Sequence, residues 1–382
     1  MLNTLPYLIC FSSSCAILWF AQKIRKGQCE PIRWFFYFVA ILIPSILAGV
    51  RDYTVGIDVL FYAKPVFDDI RTSPSLDKIS SNWDGWIDIG YLWLNYIFIK
   101  LSNDFNLFLF FISFTIISFV FLGLHYWRRK LPIWLGMFVF YCFFYNQSLN
   151  ALRQMLSLSI VMFATINIFK GNMIRYLILV LVASLFHKSS LLTLSFYPIY
   201  CYSTHYTSSK AKIALIFGGT VLLFLSLLLV MQYFSEITSV FSELHRVFWY
   251  IAPSETDNRI PYKALFYIFF AMFVLWYKRR FMYESFSKNG HFFITLMLII
   301  SALNLLPLFA PSVVARFIDV FSIFLIIIFP AFSVSLRLPK IKRAIVNIMI
   351  ISYCLIRWYV SNFIYTDGTG TDKYSSQILS VF

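Results

Sequence analysis

Two short stretches of this chain carry side chains able to do chemistry. The first is Gly49-Val-Arg51-Asp52-Tyr-Thr-Val-Gly56-Ile-Asp58-Val-Leu-Phe-Tyr62, and it begins where a hydrophobic run ends. Arg51 offers a planar fork of N–H donors suited to a phosphate or a carboxylate. Asp58 could take a proton from a hydroxyl group or could neutralise Arg51, and spacing alone does not choose between the two. Tyr62 follows four residues later. Charge at the edge of a membrane has lost part of its hydration, and handling a charged ligand is the common reason to keep it there.

The second stretch surrounds Arg153. Asn150, Arg153, Gln154 and Ser157 are spaced i, i+3, i+4 and i+7, so on a continuous helix they share one face, with Asn146 and Gln147 just before them. Such a group can hold an anion or can hydrogen-bond neighbouring helices together. The cost of an arginine at membrane depth favours the anion.

Other residues each have a bland reading beside a chemical one. His187, flanked by Ser184, Lys188 and Ser190, can exchange a proton near neutral pH or sit as a satisfied structural residue. Arg316 stands three residues before Asp319, as an ion pair or as a further arginine facing phosphate. Asp88, in Asp88-Ile-Gly90-Tyr91, reads by default as a helix cap. Asp84 precedes it by four residues. Trp83 and Trp86 could stack on sugars, although interfacial tryptophans are common in membranes. Arg246, Arg259 and Arg357 make weaker candidates.

The elements that must position these groups are membrane helices. Of 382 residues, 60% are hydrophobic and only 13% charged. The apolar runs have the length that spans a bilayer, and short alternating strands of the barrel type are absent from the pattern. Spans are predicted at 5–21, 34–50, 105–126, 132–149, 151–169, 213–234, 262–277, 291–309, 317–336 and 344–364. The stretch 88–101 is too short to cross and reads as an interfacial helix. The stretch 176–202 is broken at His187 and reads as two short helices. The fold class is therefore all-α, a polytopic helical bundle with about 10–12 transmembrane helices. The bundle, 1–364, is taken as one domain with two long outer loops, 51–104 and 235–261, and a short tail, 365–382, rich in Gly, Thr and Ser and expected to be mobile. The second outer loop opens with an amphipathic helix that ends at Pro253.

Charge gives the sidedness. The connections 22–33, 127–131, 170–175, 203–212, 278–290 and 337–343 hold 19 of the 32 Lys and Arg residues, with Glu30 and Glu284 the acids among them. They are read as cytoplasmic, which puts both termini and the candidate site on the outer face. This also accounts for a net charge of +15 without a nucleic-acid partner. The six cysteines and five histidines form no ligand-spaced cluster, so neither a metal nor another cofactor is expected.

The ordered set of motifs carries a family resemblance. Arg51-Asp-Tyr-Thr-Val-Gly56-Ile-Asp58-Val-Leu-Phe-Tyr62 resembles the R-x(4)-G-x-D-x(3)-Y signature of the EpsG family of bacterial membrane proteins. That family is itself similar to the Wzy polymerases of O-antigen and capsule repeat units. Asp88-Ile-Gly-Tyr91, Asn150-Ala-Leu-Arg153-Gln154, Phe186-His187-Lys-Ser189 and Ala315-Arg316 follow in the family's order. Asp88 departs from it, since the family often carries glutamate there.

The resemblance implies a multi-pass protein of the bacterial inner membrane, active on its periplasmic face. It implies polymerisation of undecaprenyl-diphosphate-linked oligosaccharide, which serves as both donor and acceptor, with membrane lipid, a chain-length regulator and a flippase as partners. On that reading Arg51, Arg153 and Arg316 hold the diphosphate, and Asn150, Gln154 and Asp88 help to bind it. Asp58 or His187 acts as base, and Tyr62 supports the site. A flippase for the same lipid and an O-antigen-ligase-like transferase are the rival classes.

Overall fold

The computed structural model describes residues 2–24, 29–72, 83, 87–205, 289–304, 318–335, 338–364 and 369–379. Spans 213–234 and 262–277, the 235–261 loop helix, and Asp84, Trp86, Arg246, Arg259 and Arg316 lie outside the described residues. The other predicted spans are helical over their described parts: α1 (Leu5–Lys23), α2 (Glu30–Gly49), α5 (Phe105–His125), α6 (Ile133–Phe140), α8 (Leu152–Phe169), α11 (Asn289–Leu303), α12 (Leu325–Ser335) and α13 (Lys340–Tyr359). Between them lie α3 (Lys64–Thr72), α4 (Ile89–Ile99), α7 (Asn146–Asn150), α9 (Met173–Ser184) and α10 (Phe196–His205). Six helices among the described residues are long and apolar enough to cross a membrane. The protein is an all-α, multi-pass membrane protein.

The chain divides into two compact units, and the larger comprises Met1–Leu191 and Phe329–Phe382. In it α1 packs on α2, α2 on α5, α5 on α8, and α8 on α9. Small residues permit the close approaches. A Cβ on Gly49 would meet Phe110 Cβ at 2.5 Å, and one on Gly123 would meet Met162 Cγ at 3.0 Å. Ile341, Ile345, Ile348 and Met349 of α13 stay exposed, as suits a face turned to lipid. In the smaller unit, Leu192–Ile328, the Tyr200 hydroxyl donates to Asn289 Oδ1 at 2.9 Å, and Phe196 packs edge-on to Phe321 and Phe324.

Pro44 lies inside α2. Having no N–H, it leaves the carbonyl of Ala40 without its helical donor. Ser14 Oγ of α1 supplies the bond at 2.7 Å and is itself 2.8 Å from the Tyr141 hydroxyl. The helix interruption thus becomes a buried tie between α1, α2 and the π turn Tyr141–Tyr145 that links α6 to α7.

The two ends of the larger unit differ in charge. At one end Gln22 reaches the carbonyl of Leu131, His125 packs on Trp34, and Trp127 meets Phe169. Lys23, Arg33, Arg128, Arg129, Lys130 and Lys170 gather there, with Glu30 the acid among the described residues. At the other end meet the start of α1, the end of α2, the start of α5, the α7–α8 junction and the end of α13. Bonds joining Tyr7 to Thr371, Asn106 to Gly49, Arg51 to Leu149 and Trp358 to Asn146 hold them together.

Two expectations change, and a third gains detail. The predicted span 151–169 does not begin as one helix with Asn150: Ala151 has ψ +62° and separates α7 from α8, so Asn150 leaves the face it was expected to share. The stretch 88–101 forms a short helix, over Ile89–Ile99, with Tyr91, Leu92, Asn95 and Phe98 at i, i+1, i+4 and i+7 buried against the bundle and Trp93 and Ile97 exposed. The tail, expected to be mobile, is packed down over 369–379. Thr371, Tyr374 and Ser376 are each buried, because the Tyr374 and Ser376 hydroxyls donate to carbonyls at the end of α2 that no helix satisfies, and Thr371 accepts from Tyr7 and Asn146.

Replacing Ser14 with Ala should cost about 1–3 kcal/mol, since it orphans a buried carbonyl. The loss should be smaller in a Pro44→Ala background, where residue 44 regains its N–H. Thermal unfolding of the four proteins in detergent checks this.

Candidate functional site

The site is built on the end of α2. A helix leaves its last four carbonyls without intrahelical donors, and here each finds one. Val50 N–H donates to Ile46 O. The Tyr374 hydroxyl donates to Leu47 O at 2.8 Å, Arg51 Nη1 to Ala48 O at 2.8 Å, and Asn106 Nδ2 to Gly49 O at 2.7 Å. Just beyond, Ser376 Oγ donates to Val50 O at 2.5 Å.

Arg51 also donates through Nη2 to Leu149 O, 2.8 Å away at the end of α7. Its cation therefore sits between the negative ends of two helices, the favourable position for it. The side chain is fully buried. Burial lowers its pKa to about 10, with the surrounding tyrosines opposing the shift, and it stays charged at neutral pH. Arg51, expected to hold a diphosphate, has its terminal nitrogens committed to backbone.

Gly56 follows with φ +104°, a conformation that side chains resist, and a Cβ there would lie 2.7 Å from Leu149 O. The turn sets Asp58 beside α7, where the Asp58 N–H donates to Asn150 Oδ1 at 2.8 Å. Asn150 thus reaches the site from the end of α7, holding the backbone of Asp58.

From Asp58 the chain enters the π turn Val59–Ala63, which carries Tyr62. The Arg153 guanidinium lies over the Tyr62 ring, 4.5 Å from its centroid, and Nη1 donates to Asp88 Oδ2 at 2.9 Å. The two charged side chains are 17% and 12% exposed, so most of the pair is out of solvent. Asp88 occupies the N-cap position of α4 yet its carboxylate makes no capping bond. It turns to Arg153 instead, and the default reading of Asp88 as a cap is corrected. Burial raises the Asp88 pKa above the ordinary carboxylate range, although Arg153 and Lys188 pull it down. Burial also pushes Tyr62 up to about 12, Arg153 opposing and Asp58 assisting. Tyr91 completes the layer, edge-on to Tyr62 at 5.9 Å.

His187 stands where α9 gives way to the 3-10 turn Lys188–Ser195. Its Nδ1 is 2.6 Å from Ser189 Oγ. The same break approaches the start of α4, where Gly90 N–H donates to Leu185 O at 2.8 Å, and a Cβ on Gly90 would clash with that carbonyl at 2.7 Å. Gln154 is buried. Ser157 spans to Ala183 O at 2.9 Å, and Asn146 bonds Trp358 and Thr371, so both act as interhelical ties. Trp83 donates its indole N–H to Asp69 Oδ2 at 2.9 Å.

The structure thus brings Arg51, Asp58, Tyr62, Asp88, Asn150 and Arg153 into one end of the bundle from three separate stretches. Sequence reasoning missed Asn106, Tyr374 and Ser376. Nothing in their types or spacing marks them, since each works on a carbonyl far away along the chain.

The EpsG family matches residues 34–376, and the chain belongs to that family of Wzy-like polymerases and glycosyltransferases of exopolysaccharide synthesis. No curated protein and no solved structure matches it. Membership supports a polysaccharide-polymerase type of role.

The Arg153–Asp88 pair predicts a pH-dependent stability. The folded pKa of Asp88 is raised, so its protonated form favours the fold and that contribution is lost as pH rises through the folded value. Removing the cation with Arg153→Gln strips away the compensation. Its destabilisation, about 3 kcal/mol near neutral pH for a broken buried pair, should shrink toward about pH 4, where carboxyls protonate. Thermal unfolding in detergent across that range, with Asp88→Asn as the partner in a double-mutant cycle, measures it.

Proposed function

We propose that this member of the EpsG family joins undecaprenyl-diphosphate-linked oligosaccharide units into O-antigen or a related surface polysaccharide, at the periplasmic face of the bacterial inner membrane. The observation that carries the reading is the meeting of Arg153, Asp88, Tyr62 and Asp58 at the end of the bundle opposite its basic end. By the charge rule the basic end is cytoplasmic, so the cluster is turned to the outer leaflet.

In the reaction, a hydroxyl oxygen of the acceptor sugar bonds to the anomeric carbon of the donor chain. The bond from that carbon to the lipid diphosphate breaks, and its electron pair leaves with the diphosphate. Arg153 stabilises the growing negative charge from a fixed position in a low-dielectric site, exchanging part of its interaction with Asp88 for the phosphate. Asp58 or His187 receives the proton of the attacking hydroxyl. Tyr62 holds the guanidinium in plane, and Asn150 sets Asp58. Gln154 is a further contact for the headgroup, a role that the family resemblance also gives to Arg316. Arg51 is a positioning residue, acting through the two helix ends that it joins. A chain-length regulator and the flippase that delivers the units are the partners this chemistry calls for.

Clustering at one end favours an enzyme over a flippase, which needs a polar path to both faces. Arg153→Ala should lower polymerisation by about a hundredfold or more, the scale of losing one charge-stabilising donor, with the protein still in the membrane. A gel of surface polysaccharide from the variant strain should collapse to core plus a single unit. Units trapped inside the cell would mark a flippase instead, and polymer left on lipid with none on the core would mark a ligase.

A further inference from the structure

The last part of the chain reaches the same site. Over residues 369–379 it lies along the loop that carries Arg51 and Asp58, and the contacts are regular. Gly56 N–H donates to Gly370 O, Ile57 N–H to Thr369 O and Asp52 N–H to Ser375 O, each at 3.0 Å. In return Gln377 N–H donates to Asp52 Oδ1 at 2.9 Å, and the hydroxyls of Tyr374 and Ser376 cap Leu47 O and Val50 O. The segment is anchored from its other side, where the Tyr7 hydroxyl donates to Thr371 O at 2.8 Å and Asn146 Nδ2 to Thr371 Oγ1 at 3.2 Å. Tyr374 also packs edge-on to Tyr7, with ring centroids 5.5 Å apart. Thr371, Tyr374 and Ser376 are no more than 1% exposed.

These bonds fall at chosen places. Two of the carbonyls at the end of α2 that no helix can satisfy, those of Leu47 and Val50, are met by this segment, and they flank the one that Arg51 itself caps. The N–H groups of Gly56 and Ile57 belong to the turn that immediately precedes Asp58. A buried N–H or carbonyl left without a partner costs about 1–3 kcal/mol, so the loop has no cheap way to hold this course without the segment.

We propose that residues 369–379 form a fixed strap that positions Arg51 and Asp58 for the polymerase reaction, with Tyr374 and Ser376 as its positioning residues. The inference rests on the reading of the Arg153 site given above. The strap makes one wall of the site's frame from backbone and hydroxyl groups and touches no reacting atom. Displacing a catalytic group by about 1 Å can cost a hundredfold in rate, and loss of two hydroxyls at the rim of such a frame is expected to cost about tenfold.

The test uses the full-length protein, purified in detergent and supplied with a lipid-linked repeat unit, with turnover normalised to folded protein. The Tyr374→Phe, Ser376→Ala double variant should turn over about tenfold more slowly, while Ser376→Thr, which keeps the hydroxyl, should stay within about twofold of the parent. A loss that came only from poorer folding would vanish on normalisation, and that result would overturn the proposal. So would a double variant as active as the parent beside an inactive Arg153→Ala, in which case the reading of the site stands and the strap fails. An active Arg153→Ala would remove the site reading itself.

Discussion

A buried guanidinium between two helix ends governs this structure. Arg51 bonds the carbonyls of Ala48 and Leu149, which belong to the ends of α2 and α7. Both ends carry the partial negative charge of the helix dipole, and neither can satisfy its last carbonyls internally. One cation answers both needs and fixes the distance between the helices. Since α7 leads into α8, and α8 carries Arg153, that distance also sets where Arg153 stands. The loop leaving α2 then has one course, through the left-handed Gly56 to Asp58.

The Arg153–Asp88 pair has a different character. It joins residues 65 apart, and little of either side chain is exposed. Desolvation works against both charges, and their mutual attraction with hydrogen bonding must offset it. Burial raises the pKa of Asp88 despite its cationic partner, so the carboxylate is held in a less hydrated state than it prefers. An anionic ligand reaching Arg153 would compete with a partner already poorly solvated. The break at Ala151 aids this by starting α8 anew, so that Arg153 lies in its first turn.

Two kinds of polar residue populate this end of the bundle, and the distinction matters for reading similar chains. Asn106, Ser157, Tyr374 and Ser376 serve backbone carbonyls, as Ser14 does further along α1, and Asn146 ties the side chain of Trp358 to that of Thr371. In a bilayer such groups must be satisfied within the protein. Asp58, Tyr62, Asp88 and Arg153 instead meet each other, and so form a cluster with chemistry of its own.

Much of this was legible in the residue string, and for physical reasons. Apolar runs of bilayer length can form only helices or closed barrels, so the helix boundaries follow within a few residues wherever the structure describes them. The spacing of Arg51, Gly56, Asp58 and Tyr62 marked the site because glycine and buried charge are costly to place idly. What required tertiary structure was the partner of each group. Whether Asp88 caps its own helix or meets Arg153, and whether Arg51 faces ligand or backbone, depends on chain segments brought together from far apart. The tail shows it best: Gly, Thr and Ser describe a mobile terminus by composition, yet unsatisfied carbonyls at the end of α2 and a turn before Asp58 pull 369–379 into an ordered strap. Local sequence records what a residue can donate or accept, and only the fold says which distant group is there to take it.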